Sequence, residues 1–171
     1  MKNFNMRKDE LLKHAQRFID LLPNVEVILG GGFIRCFFED TPFYDVDFFV
    51  TKKESIDLIK SKLNLIAQKK FEDEGGMVYK HEYGLIDIIK QPIKSVEDYM
   101  SQCDFTIGAA CIYQGELYCH PQFFEHILTK ELVVMQKSYS LEKLLTRISK
   151  YSRYGYYFSK QQAQKAIKLN L

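Results

Sequence analysis

Leu29–Val50 reads LGGGFIRCFFEDTPFYDVDFFV, and its reading decides the fold. The apolar run Val25–Leu29 predicts a short strand that breaks at Gly30–Gly31–Gly32, and Phe33–Phe38 predicts a brief helix. Val46–Val50 is then the next strand. Asp45 and Asp47 alternate with Val46, so a period of two puts both carboxylates on one face and turns Val46 into the core. Two carboxylates held that close repel one another unless a cation bridges them. Magnesium suits such a pair, because it takes oxygen ligands and leaves positions open for phosphate oxygens. Taken alone, D-x-D also occurs on surface turns, and a glycine triplet after a strand is also a plain turn. Together with Arg35 one helical step beyond the glycines, the set is what positioning a triphosphate requires: backbone N–H groups, a cation and metal-binding acids.

Working outward, a third acid stands in a similar setting. Asp87 interrupts Leu85–Ile86–Asp87–Ile88–Ile89, and an acid inside a β-branched strand costs energy unless it is paired or binds metal. If that strand lies beside the first, Asp87 completes the set and suits a general base for an attacking hydroxyl; if the segment is not a strand, it is a turn or helix partner. Upstream, residues 1–22 predict an amphipathic helix with Leu11, Leu12, Ala15, Phe18, Ile19 and Leu22 on one face, not a signal peptide. Downstream, a helix is expected over Glu54–Leu65 and strands near Met77–His81 and Leu85–Lys90, with Gly75–Gly76 as their turn. A short helix near Val96–Tyr99, strands around Phe105–Tyr113 and Glu116–Cys119, and helices near Gln122–Leu128, Leu141–Tyr154 and Ser159–Leu169 complete the chain. Strands early and helices late predict an α+β domain, a mixed sheet flanked by helices, with a C-terminal helical appendage.

Composition narrows the function class. The chain has 171 residues, 46% of them hydrophobic, which excludes a disordered chain. No apolar run approaches a membrane span, and the four cysteines form no C-x-x-C pair, so a cytoplasmic protein with reduced thiols is expected. The net charge of +2 hides an asymmetry: residues 1–136 carry 16 Lys and Arg against 21 Asp and Glu, and residues 137–171 carry 8 against 1. Tyrosines are interleaved with the cations of that tail. This suits RNA, but taken alone the tail slightly favours a solvated helix with tyrosines packed on the core.

These motifs resemble those of the DNA-polymerase-β-like nucleotidyltransferases, and within them the head and neck of bacterial-type tRNA CCA-adding enzymes and bacterial poly(A) polymerases. That branch reads G-G-x-V-R-D, about ten residues, then D-x-D; here stand Gly31–Gly32–Phe33–Ile34–Arg35–Cys36 and Asp45–Val46–Asp47. Its R-R-D-F-T-I-N-A is matched by Gln102–Cys103–Asp104–Phe105–Thr106–Ile107–Gly108–Ala109, and its neck R-x-G-F by Arg153–Tyr154–Gly155–Tyr156. The resemblance implies a head domain over 1–136 and a basic neck stub over 137–171, without the body and tail helices that grip tRNA. It implies transfer of a nucleoside monophosphate from an NTP to an acceptor hydroxyl, an RNA 3′ end first of all, with release of pyrophosphate. Asp45 and Asp47 would hold magnesium or manganese, and Asp87 would join them in catalysis. Gly31, Gly32, Arg35, Asp104 and Arg153 would bind the nucleotide, and Arg147, Lys150 and Lys160 the RNA. A homodimer or a separate RNA-binding subunit would supply the remaining grip.

The departures leave a second class open. Cys36 replaces an aspartate, Gln102 and Cys103 replace an arginine pair, Gly108 replaces an asparagine, and the base-reading neck motif is absent. Arg147 and Lys150 lie one residue, about 100° of helix, away from the expected arginines. The alternatives are therefore a nucleotide- or RNA-binding module with weakened catalysis, or a minimal transferase acting on a protein or small molecule.

Overall fold

The computed structural model describes residues 4–135 and 140–170. The expected boundary at 136/137 and Tyr139 of the tail lie outside the described residues. Seven strands form one sheet in the order β3-β4-β5-β2-β1-β6-β7. They are β1 (Val27–Gly30), β2 (Asp45–Val50), β3 (Gln68–Glu72), β4 (Gly76–His81), β5 (Gly84–Ile89), β6 (Ala110–Tyr113) and β7 (Glu116–Cys119). Among these pairs only β2 and β5 run parallel, so the sheet is mixed and the protein is α+β.

One face of the sheet is the core. Val46, Phe48 and Val50 of β2, Ile86 and Ile88 of β5, and Met77 and Tyr79 of β4 are buried, as strict alternation requires. Helices α1 (Phe4–Ile19), α2 (Gly32–Glu39) and α3 (Ser55–Ile66) contribute Leu11, Ala15, Phe18, Phe33, Ile34, Ile59 and Leu63 to the same cluster. Fully burying one such side chain stabilises by about 1.5–3 kcal/mol. Ahead of the C-terminal helices come α4 (Val96–Ser101) and α5 (Phe123–Thr129), and Ser95 caps α4 by accepting from the Asp98 N–H. The C-terminal helices α6 (Leu141–Ser152) and α7 (Lys160–Asn170) follow, and Leu144, Tyr156 and Ala166 reach this same core. The appendage is thus packed onto the sheet domain.

Three details differ from expectation. Residues 68–72 form a strand that has one large apolar side chain, so alternation does not reveal it. The Gly75–Gly76 pair follows that strand and closes the β3–β4 hairpin, where the Asp73 carboxylate accepts from both N–H groups at 2.8 Å; Glu82–Tyr83 connects β4 to β5. Residues 105–109 are not strand: Thr106–Gly108 is a single 3-10 turn, and the Gly108 carbonyl accepts from Tyr99 Oη (3.2 Å) and Cys103 Sγ (3.4 Å).

Candidate active site

The acids come together through strand register. Parallel pairing sets Asp47 beside Asp87 and Asp45 beside Leu85, so Asp45, Asp47 and Asp87 share the sheet face opposite the core. Burial pushes the Asp47 carboxyl up from its ordinary 3.8 to about 7, and the nearby charges of Asp45 and Asp87 push the same way; Lys150 and a hydrogen bond from the Gly32 N–H oppose them. The Asp87 carboxyl is raised as well, by burial first and Asp45 second.

The glycines act differently from a free phosphate cradle. Gly31 precedes α2 at φ 76°, and a Cβ there would run into the Asp47 carboxylate. The Gly31 N–H donates to Tyr99 Oη at 3.0 Å, and the Gly32 N–H to Asp47. These donors therefore hold Asp47 and Tyr99 in place on the floor of the site. Tyr99 is buried, and its ring lies 5.0 Å from Phe49 in an edge-on contact. Its hydroxyl ties the glycine turn to the Gly108 turn, a role with no signal in the sequence.

Asp45 and Asp47 open into a cleft of about 430 Å³, whereas Asp87, on the same sheet face, is not among the residues that line it. Gly31, Gly32, Arg35, Asp45, Asp47, Asp104, Arg147 and Lys150 line it, together with Gln102, Cys103 and Gly108. Arg147 and Lys150 reach it from the flank of the α6 face that Leu144, Ile148 and Tyr151 pack against the domain, and Tyr151 lines the cleft beside them. Arg147 pairs with Asp104, whose side chain is only 2% exposed. Arg35 is committed elsewhere: it pairs with Glu39, and the rings of Tyr151, Tyr154 and Tyr156 surround its guanidinium at 5.3–5.8 Å. Glu39, also missed in the sequence, takes Lys130 and the Tyr156 hydroxyl too, and so fastens the C-terminal helices to α2. Arg153 and Lys160 are exposed at the end of α6 and the start of α7 and do not line the cleft. At Gly108 an added Cβ would meet nothing within 4 Å, so the cleft is widened where the resembled branch carries asparagine.

The match that decides the family covers residues 2–130, against the model described as Gabija anti-defense 2 family protein. The chain belongs to the Gabija anti-defense 2 family. No curated protein matches it. Among solved structures this family member is similar to a Thermotoga maritima CCA-adding enzyme complexed with tRNA (TM-score 0.69, 19% identity), covering 92% of this chain and 43% of that one. It is also similar to a tRNA nucleotidyltransferase complexed with a primer tRNA and an incoming ATP analog (TM-score 0.65, 18% identity, 93% and 50% covered). A third is a CCA-adding enzyme with CTP (TM-score 0.64, 18% identity, 95% and 40% covered). The family member thus has the nucleotidyltransferase fold and spans at most half the length of these enzymes. Among its described residues, no helix is long and apolar enough to cross a membrane.

The donor set suits a hard divalent cation. Among the described residues no three His, Cys, Asp or Glu groups form a ready-made metal cage. Magnesium does not need one: it is commonly held by one or two carboxylates together with substrate phosphates. The crowded charges of Asp45, Asp47 and Asp87 are what such an ion would relieve.

Proposed function

We propose that this protein transfers a nucleoside monophosphate from an NTP to an acceptor hydroxyl, with magnesium or manganese held by Asp45 and Asp47. The observation that carries this is the cluster of three acids on one sheet face, Asp47 paired with Asp87 and Asp45 in the adjoining row, with the Asp47 carboxyl pushed up to about 7 by burial and its acidic neighbours. When bound, the cation would neutralise phosphate charge and polarise the reacting phosphoryl group. Gly32 holds Asp47 in position through its N–H. Asp87, one strand over, would accept the proton of the acceptor hydroxyl, and its raised pKa suits a general base. The acceptor oxygen then bonds to the α-phosphorus, the bond from α-phosphorus to the bridging oxygen breaks, and pyrophosphate leaves. Arg147 and Lys150 at the cleft would offset the polyphosphate charge; Arg35, held by Glu39, would contribute mainly by anchoring α2.

An RNA 3′ hydroxyl is the first acceptor to consider, since the tail is basic and two structural neighbours were captured with tRNA. The family name favours a second reading, in which the acceptor hydroxyl belongs to a component of the Gabija defence. The test incubates the protein with magnesium or manganese and each labelled NTP. Total RNA or purified Gabija components serve as acceptor, with Asp47→Ala as control. Label in RNA or in a Gabija component with the wild type alone supports transfer and names the acceptor. No transfer to either, from a folded protein, would refute the enzyme reading in favour of a binding module.

A further inference from the structure

The sheet face that carries the acids does not end at Asp87. In a ladder, paired residues point to the same side. Asp47 pairs with Asp87, Asp87 with Val78 of β4, and Val78 with Phe71 of β3, so all four share one row. The row beside it runs Asp45, Leu85, Lys80 and Gln68. On the β1 side, Ile28, Ile93, Tyr99 and Cys111 close this face as a small second core. Over β5, β4 and β3 it is open: Phe71 is 53% exposed and Leu85 37%, and Lys80 is exposed between Gln68 and Leu85. Strands lie about 4.8 Å apart, which puts Phe71 two strands, about 10 Å, from Asp87.

We infer that this strip is the acceptor platform, and that its occupant is the 3′ end of a single-stranded RNA. The inference rests on the transfer reading above and extends it to residues that reading does not use. A hydroxyl delivered to Asp87 has the rest of its strand to place, and the flat, uncovered side of the acids leads straight to Phe71. An exposed aromatic on a sheet stacks any base, and Lys80 in the adjoining row, with Lys70 of β3 donating to its row-mate Gln68, supplies the charge a phosphate backbone needs. The acid next to Phe71 does not spoil that charge. Glu72 points to the other side, opposite Met77, and Lys69 first, then Lys60 and Lys90, hold its carboxyl down at about 2.

The chain has no tryptophan, so Phe71→Trp installs a single fluorophore on the strip. The probe is a short single-stranded RNA ending in a 3′-deoxynucleotide, titrated into the magnesium-loaded protein. Saturable quenching of the new tryptophan is expected. Phe71→Ala should weaken RNA binding, read by anisotropy, about tenfold, and Lys80→Ala should weaken it and flatten its salt dependence. Both should leave the melting shift caused by magnesium and ATP at its wild-type size. RNA that binds without quenching, unchanged affinity in Phe71→Ala, or quenching by a Gabija component but not by RNA would overturn the platform. The two readings fail separately. No melting shift with magnesium and ATP in the wild type would sink nucleotidyl transfer, whereas a normal shift beside unmoved fluorescence would sink the RNA platform alone.

Discussion

Replacing Asp47 with asparagine should make the metal-free protein more stable at pH 8 and remove much of its pH dependence. The Asp47 carboxyl sits at about 7 in the fold against an ordinary 3.8. The native state therefore binds the proton more tightly than the unfolded chain. By linkage, the stability this confers is fully present below the unfolded value and is lost as pH rises through about 7. A gap of about three pH units at 1.36 kcal/mol each amounts to about 4 kcal/mol between pH 4 and pH 8. For a chain of this size that corresponds to about 10 °C in melting temperature. The assay is thermal unfolding with a chelator at pH 5, 6, 7 and 8, for wild type and Asp47→Asn, repeated with magnesium. The wild type should fall with pH and the variant much less. Magnesium should restore the wild type at pH 8 and leave the variant unmoved. Parallel curves for the two proteins, or an equal magnesium effect on both, would refute the placement of Asp47 among crowded acids.

Three further outcomes follow from other parts of the site. Gly31→Ala combines a left-handed φ of 76° with a Cβ driven onto the Asp47 carboxylate, so urea unfolding should show a loss of about 3 kcal/mol or more, with no magnesium-induced shift. Glu39→Ala takes away the acceptor shared by Arg35, Lys130 and Tyr156; leaving a buried guanidinium uncompensated should cost about 3–5 kcal/mol in the same assay. Burial pushes the Cys103, Cys111 and Cys119 thiols up to about 12, so at pH 8 these three should alkylate far more slowly in the native protein than in urea, read by mass spectrometry of their peptides.

How far the fold could be read depended on whether each segment's side chains alternate between core and solvent. Strand β2 was legible because Val46, Phe48 and Val50 are buried while Asp45 and Asp47 face away, and α1 because Leu11, Ala15 and Phe18 repeat at helical spacing. Strand β3 was not. It lies at the sheet edge, its partner-face residue is Glu72, and its one large apolar group, Phe71, points to the open side. Residues 105–109 carry the apolar content of a strand, yet Tyr99 and Cys103 capture the Gly108 carbonyl and wind the segment into a turn. Both misses arise from partners outside the segment itself, which its own side-chain pattern does not show.

The site divides along the same line. Asp45 and Asp47 were legible because two acids at period two need only their own strand to meet, and Asp87 because an acid in an apolar run has to be explained. What the backbone amides do was not legible. Free N–H groups are a fair expectation for three glycines, but Gly31 and Gly32 spend theirs on Tyr99 and Asp47, and only the folded sheet brings those acceptors near. The α6 cations make the same point about orientation. Counted from the resembled neck motif, Arg147 and Lys150 fall about 100° away from the expected arginines. A helix is rotated by what it buries, however, and Leu144, Ile148 and Tyr151 set the rotation of α6 so that Arg147 and Lys150 line the cleft. Lys150 is thereby close enough to counter the rise in the Asp47 pKa, and Arg147 pairs with Asp104. The cations that a motif register would discard are the ones the packing delivers to the acids.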